Sequence, residues 1–296
     1  MNVLVTGAGG MLGQAVVPAL ERAGHAVTAL ARAELDVTRE ADVRGAVAGS
    51  APDWVCHLAA YTDVDGCETR SDHAMLVNGK GAGYAAAAAA QAGAAVLAVS
   101  TDYVFAGDDP SPRRESDPVG PLSAYGRSKL AGEEAVRAAN PRHVIVRTAW
   151  LYGRGGKNFV DTIRARAAAG GPLAVVDDQR GSPTWTGDLA EVLVELMERG
   201  ASGTLHSTND GACTWHELAC EICALMGADV EVARISSAQL ARPARRPASS
   251  VLDTGRLERE LGRRLPHWRD ALARYMGCTG QPAEHASAGR GPEQGR

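Results

Sequence analysis

Short apolar runs rich in β-branched residues alternate with stretches of helical period through the first half of the chain, the pattern of a parallel sheet covered by helices on both faces. Val3 to Val5 reads as the first strand, Ala26 to Leu30 as the second, Trp54 to Leu58 as the third, Ala95 to Ser100 as the fourth and His143 to Arg147 as the fifth. Between them the periodicity predicts helices over Met11 to Ala23, Glu40 to Gly49, the alanine-rich Ala74 to Ala92, and Tyr125 to Ala139. The expected fold class is α/β, a doubly wound parallel sheet of Rossmann type. After Trp150 the pattern loosens into a helix over Phe159 to Ala169, a strand over Leu173 to Val176, a helix over Asp188 to Arg199, a strand over Thr204 to Ser207 and a helix over Thr214 to Met226. That half reads as a smaller, mixed α/β lobe. Leu240 to Leu252 is irregular, and residues 278–296 are expected to form a disordered tail.

Composition narrows the function classes. At 296 residues with 45% hydrophobic side chains, the chain can bury one large α/β unit or two domains. Lys+Arg 31 against Asp+Glu 35 gives a net charge of -4, which leaves no basic excess for a phosphate backbone, so nucleic acid is not an expected partner. Six scattered cysteines suit free thiols in a reducing, cytoplasmic setting. The opening residues already read as a strand, so no export signal is expected. The longest apolar stretch, Ala85 to Val99, is mostly alanine and is broken by Gln91 and Gly93, so no membrane span is expected.

The first strand runs into Thr6-Gly7-Ala8-Gly9-Gly10-Met11-Leu12-Gly13 and then a helix. Glycines spaced as Gly7, Gly10 and Gly13 allow a tight turn, close approach of backbone to a pyrophosphate at the helix N-terminus, and packing of helix on strand. Leu12 stands where the third glycine of the commonest dinucleotide fingerprint would fall, so the turn alone is also compatible with a purely structural βα connection. At the end of the second strand an arginine accommodates a 2'-phosphate and an acid binds a 2'-hydroxyl. Arg32 points to NADPH; Asp36, a little further on, leaves NADH open.

Tyr125-Gly126-Arg127-Ser128-Lys129 opens a helix after Pro121-Leu122-Ser123. Positions i and i+4 share a helix face, so a phenol and an ammonium can converge on one ligand. Lys129 is expected to lower the phenol pKa and hold a cofactor ribose, while Tyr125 gives a proton to a carbonyl oxygen. Upstream, a strand ends in Ser100-Thr101-Asp102-Tyr103-Val104-Phe105, placing a hydroxyl at the ligand-binding edge of the sheet.

Together with Ala59-Ala60-Tyr61-Thr62-Asp63-Val64-Asp65, these motifs resemble the extended short-chain dehydrogenase/reductases. Arg147 to Gly153, Gly156 to Phe159, Asp178 to Thr184 and Arg242 to Pro247 followed by Leu252-Asp253-Thr254 are more narrowly similar to the dTDP-4-dehydrorhamnose reductase family. The resemblance implies that Thr101, Tyr125 and Lys129 are catalytic. It implies cofactor contacts at Gly7, Gly10, Met11, Leu12, Gly13, Arg32, Asp36, Val37, Ala60, Tyr61, Thr62 and Val99, besides Tyr125 and Lys129, and substrate contacts at Thr101, Asp102, Tyr103 and Trp150. It further implies residues 1–150 as the NADP-binding domain, with returning segments from about 184–210, and residues 151–276 as mainly the substrate lobe. Two departures stand out: His57 begins a motif that starts with Asn in many relatives, and Ala15 occupies a place where some carry a glutamate for Mg²⁺, so no metal is expected.

The implied reaction is NADPH-dependent reduction of the C4 ketone of a dTDP-4-keto-6-deoxyhexose. Alternatives are a related reductase of an antibiotic deoxysugar pathway such as dihydrostreptose synthesis, an epimerase, or a non-catalytic NADP-binding regulatory subunit. A homodimer is a candidate assembly. Elsewhere, Cys213, His216, Cys220 and Cys223 read as helix residues rather than a zinc site, and Asp63, Asp65 and Glu68 as solvated or hydrogen-bonded loop acids. The alanines at 85–90 read as a close-packed helix face. Arg242, Arg245 and Arg246 read as a solvated face or an arginine fork for a nucleotide diphosphate. In an acidic chain these arginines and Arg32 are the candidates for gathering dianionic ligands.

Overall fold

The structure is a computed structural model that describes residues 1–279. Its first half follows the strand–helix alternation: β1 (Asn2–Thr6), α1 (Gly13–Arg22), β2 (Ala26–Leu30), α2 (Glu40–Ser50), β3 (Trp54–His57), α3 (Val64–Thr69), α4 (Ser71–Ala74), a π-helical turn (Met75–Lys80), α5 (Gly81–Gln91), β4 (Ala95–Thr101), a 3₁₀ turn (Asp102–Val104), α6 (Ala124–Ala139) and β5 (His143–Thr148). The second half contains β6 (Leu151–Tyr152), α7 (Phe159–Ala168), β7 (Leu173–Val176), β8 (Arg180–Gly181), β9 (Thr184–Trp185), α8 (Thr186–Glu198), β10 (Gly203–His206), β11 (Cys213–Thr214), α9 (Trp215–Met226), β12 (Val232–Ile235), α10 (Ser237–Leu240), α11 (Gly255–Leu261) and α12 (Trp268–Thr279).

Six strands form one parallel sheet in the order β10-β5-β4-β3-β1-β2. Because side chains alternate along a strand, each strand feeds both faces, and both are covered. Val3, Val5, Cys56, Leu97 and Val146 pack with Val16 and Leu20 of α1 and with Leu189, Leu193 and Leu196 of α8. Leu4, Val55, Val96 and Ile145 pack on the other face with Val43 and Val47 of α2, Ala85 and Ala89 of α5, and Val136 of α6. Each fully buried aliphatic side chain of this kind contributes about 1.5–3 kcal/mol.

The expected single helix over Ala74 to Ala92 is instead α4, the π turn and α5. The wide turn carries Asn78 inward, where it is 1% exposed. The alanine face of α5 is buried against α2 and α6 within the chain itself. Beyond Trp150, β7 and β12 pair in parallel, and α7, α9 and α12 share a core that includes Ile163, Leu218, Ile222, Trp268, Leu272 and Tyr275. Between β7 and α9 the chain re-enters the large sheet, since α8 packs on α1 and β10 lies beside β5. The disordered tail expected over 278–296 starts too early, because α12 continues through Thr279. Residues 280–296 lie outside the described residues.

Candidate active site

All six strands of the large sheet run parallel, so their carboxyl ends share one edge. At the β1 end, Gly7 takes a φ of 70°, and a Cβ there would stand 2.6 Å from the Ala59 nitrogen. A Cβ on Gly13 would stand 2.5 Å from the Gly7 and Ala8 carbonyl oxygens. Only glycine therefore lets this turn, the first turn of α1 and the loop after β3 nest together. Met11 and Leu12 complete the turn, with Leu12 turned into the core at 8% exposure, while Gly9 and Gly10 stay exposed. The cradle meets the requirement of a dinucleotide pyrophosphate for bare backbone at a helix N-terminus. Gln14, which sequence reasoning missed, donates to the Gly9 and Gly155 carbonyls at 3.0 and 3.3 Å and so holds the 153–157 loop over the turn.

Arg32 is exposed at the end of β2, and Asp36 lies just beyond it. Asp36 accepts bonds from the Thr38 hydroxyl at 2.7 Å and the Thr38 nitrogen at 3.0 Å, which hold its carboxyl below the usual range with help from Arg39 and Arg32. Val37 is buried, and its carbonyl would stand 3.1 Å from a Cβ on Gly81. Ala60, Tyr61 and Thr62 follow β3. Their loop is tied down by Asn78, whose Oδ1 accepts from the Tyr61 nitrogen at 2.8 Å and whose Nδ2 donates to the Tyr61 carbonyl at 3.0 Å and to Ser128 Oγ at 2.9 Å. Ser128 in turn donates to the Tyr125 carbonyl at 2.8 Å. Asn78 thus couples the loop after β3 to α6, a role no local sequence signal announced.

Helix α6 starts at an N-cap, Ser123, whose hydroxyl accepts from the Gly126 nitrogen at 3.1 Å; Glu68 accepts from the Ala124 nitrogen at 2.7 Å. This places Tyr125 one turn before Lys129, beside the end of β4. The Tyr125 and Tyr103 rings meet edge to face at 5.9 Å, and the Thr101 hydroxyl works to lower the Tyr125 phenol. Thr101 Oγ1 accepts from the Tyr103 nitrogen at 3.1 Å and donates to Asp102 Oδ1 at 2.8 Å. Lys129 is buried, with Nζ donating to the Val99 carbonyl at 2.7 Å.

The electrostatics correct one expectation. Burial, reinforced by the negative charge of Asp102, pushes the Tyr125 phenol up, where a lowered value was expected from Lys129. Burial lowers the Lys129 ammonium to about 8, with Glu133 opposing. Burial also raises the Asp102 carboxyl to about 6, against the Ser250 and Thr101 hydroxyls. His57, bonded through Nδ1 to Thr6 Oγ1 at 2.9 Å, is driven down to about 3 by burial and by Lys129, so it is a neutral ring under the turn.

On the other side of β4, Thr101 is the register partner of Thr148, so Trp150 emerges at the same edge. Its φ of 48° is left-handed, and its ring stacks on Trp215 of α9 with centroids 3.5 Å apart and planes 4° apart. A Cβ on Gly181 would stand 2.4 Å from the Trp150 indole, so that glycine leaves room for the ring. Of the arginine cluster, Arg242 and Arg245 stay exposed, as a solvated face would, whereas Arg246 is drawn inward. Arg246 grips both oxygens of Asp65 at 3.0 Å, and Arg242 reaches Asp65 Oδ2 at 3.3 Å. Of the other loop acids, Asp63 caps α3 through the Gly66 nitrogen at 2.9 Å. Cys213 and Cys223 are buried in the second core, whereas Cys220 is exposed.

The edge therefore gathers a nucleotide cradle over β2, β1 and β3, a proton-bearing phenol with a hydroxyl and an amine at β4 and α6, and an aromatic wall after β5. Residues 1–279 match the model of a protein family described as the RmlD substrate binding domain. The chain is 47% identical over 294 residues to a dTDP-4-dehydrorhamnose reductase of Streptomyces griseus, covering 97% of this chain and 95% of that protein. It is 42% identical over 272 residues to a dTDP-4-keto-6-deoxy-D-glucose reductase of Streptomyces niveus, covering 91% and 94%. Among solved structures, the dTDP-4-dehydrorhamnose reductase of Bacillus anthracis in complex with NADP superposes with a TM-score of 0.90 at 35% identity, covering 93% of this chain and 98% of that one.

Proposed function

The chain belongs to the RmlD family of dTDP-4-dehydrorhamnose reductases, and from that premise we propose that it reduces the C4 ketone of a dTDP-linked 4-keto-6-deoxyhexose with NADPH. The observation that carries this reading is the convergence of Thr101, Tyr125 and Lys129 at the sheet edge beside the glycine cradle. When bound, the nicotinamide cofactor supplies the hydride. Gly7, Gly10 and the first turn of α1 would hold its pyrophosphate, Arg32 its adenosine 2'-phosphate, and Lys129 the ribose next to the ring. NADH would meet the same cradle.

The chain's own chemistry is proton delivery. Tyr125 remains a neutral phenol at pH 7, because burial and Asp102 hold its proton on. A ketone oxygen gaining negative charge is a stronger base than that phenolate, so the proton passes to it as the alcohol forms. Thr101 shares the oxygen through its hydroxyl, while Asp102, Tyr103 and Trp150 contact the sugar. Residues 1–150 with the 184–210 return serve the cofactor, and 151–276 mainly the substrate. No described helix is long and apolar enough to cross a membrane, and the free thiols suit a cytoplasmic enzyme.

The Streptomyces niveus relative supports a second sugar of the same class, dTDP-4-keto-6-deoxy-D-glucose, as a substrate to compare. NADPH oxidation should follow addition of such a dTDP-sugar, with NMR showing a C4 alcohol in equal amount. NADPH binding without turnover on any dTDP-4-keto-6-deoxy sugar would instead favour a regulatory subunit.

A further inference from the structure

Gln14 is the second residue of α1, the helix whose N-terminus forms the cofactor cradle, and its Nε2 donates to two carbonyls. One is Gly9 of the glycine turn at 3.0 Å, and the other is Gly155 of the loop after β6 at 3.3 Å. A Cβ on Gly155 would overlap the Gln14 amide, and one on Gly156 would stand 2.9 Å from Met11 Cβ, so the loop lies directly on the turn because both positions are glycine. The ends of the loop are anchored elsewhere. A Cβ on Gly153 would overlap the Thr186 hydroxyl of α8. Asn158, the buried N-cap of α7, donates from Nδ2 to the Gly153 carbonyl at 2.9 Å and the Gly156 carbonyl at 3.1 Å. Between these anchors Arg154 to Lys157 are exposed, and Gly155 takes a left-handed φ of 79° that glycine adopts without strain. The exposed stretch carries two cations, Arg154 and Lys157, beside a turn built for a dianionic pyrophosphate.

We propose that residues 153–157 are a strap across the pyrophosphate of the bound dinucleotide, latched by Gln14 as a positioning residue, and that opening of this latch sets how fast the cofactor leaves. The inference rests on the nicotinamide-cofactor reading of the cradle. The strap lifts when the bond from Gln14 to the Gly155 carbonyl breaks, while the bond to Gly9 keeps the amide aimed at that carbonyl. Both bonds are uncharged and solvent-exposed, so each is worth a several-fold factor in rate, as suits a latch that must open in every turnover. The loop leads from Trp150 and β6 into α7, so the strap ties the cofactor turn to the aromatic wall of the site.

Release of NADPH from the full chain tests the latch without any sugar present. In a stopped-flow chase of bound NADPH by excess NADP⁺, read by nicotinamide fluorescence, Q14A is expected to release about 5- to 30-fold faster than wild type. G155A, whose methyl displaces the Gln14 amide from the strap side, should do the same. The double variant should be no faster than the faster single one, because both open one latch. Adenosine 2'-monophosphate has no pyrophosphate to cover, so its Kd, measured by competition with NADPH, should stay within about twofold of wild type in Q14A. A Q14A release rate within about twofold of wild type would overturn the strap. So would fast release in Q14A with wild-type release in G155A, which would confine Gln14 to the Gly9 turn, or adenosine 2'-monophosphate weakened as much as NADPH, which would make the effect a general loosening. Failure of the wild-type protein to bind NADPH would remove the cofactor reading itself.

Discussion

The Cβ that Gly126 lacks would stand 2.3 Å from the carbonyl oxygen of Tyr103. That contact sets how closely α6 approaches the end of β4, and hence how Tyr125 lies against Thr101. In an open helix, alanine would gain about 1 kcal/mol over glycine. Here the added methyl meets backbone, and overpacking costs about 1–3 kcal/mol. G126A is expected to lower kcat about 10- to 100-fold through misplacement of the phenol, with a Tm no higher than wild type. Steady-state kinetics and thermal melts check both.

Glu133 and Arg147, 1% and 3% exposed, form a two-pronged ion pair beneath the site, with bonds of 2.8 and 2.7 Å, and Arg137 adds a third. Burial works to raise the Glu133 carboxyl, but the Arg147 bonds and charge win and hold it low. Its stabilising contribution is therefore present above the ordinary carboxylate range and is lost as pH falls through the depressed native value. E133Q or R147M alone should cost about 3–5 kcal/mol in urea unfolding at pH 7, and the double variant less than the sum.

Asp102 has the opposite sign. Its carboxyl titrates near 6 in the fold against 3.8 unfolded, so the native state binds more protons between those values and loses stability as pH rises through them. D102N is expected to be more stable than wild type above pH 6, by on the order of 3 kcal/mol, with the gap closing below about pH 4. Denaturation across that range measures it.

Arg32 is exposed at the end of β2 and shares that edge with Asp36. R32A is expected to raise KM for NADPH about tenfold, the value of a charged hydrogen bond, while changing KM for NADH little. Parallel kinetics with the two cofactors test it.

Much of this architecture was legible because burial on two faces demands continuous apolar strands. The runs at Trp54–Leu58, Ala95–Ser100 and His143–Arg147 fall on β3, β4 and β5, which are buried along nearly their whole length. The turn from Gly7 to Gly13 and the Tyr125–Lys129 pair were equally local signals. The π turn, Met75–Lys80, leads straight into the alanine-rich α5, and only the packing of Asn78 between Tyr61 and Ser128 marks where the helix widens. Helix α12 carries a readable stripe, Trp268, Ala271, Leu272 and Tyr275, all 1% exposed or less, but Arg269, Asp270 and Arg274 interleave it. The two-residue strands β8, β9 and β11 are too short for any period. The clasp of Arg246 on Asp65 joins residues 181 positions apart, and no local pattern records it.

The most direct test of the reductase account is Y125F assayed with NADPH and a dTDP-4-keto-6-deoxyhexose. Without the phenol proton, kcat should fall about 100- to 10,000-fold while NADPH still binds with nearly wild-type affinity. An undiminished kcat in Y125F would contradict it.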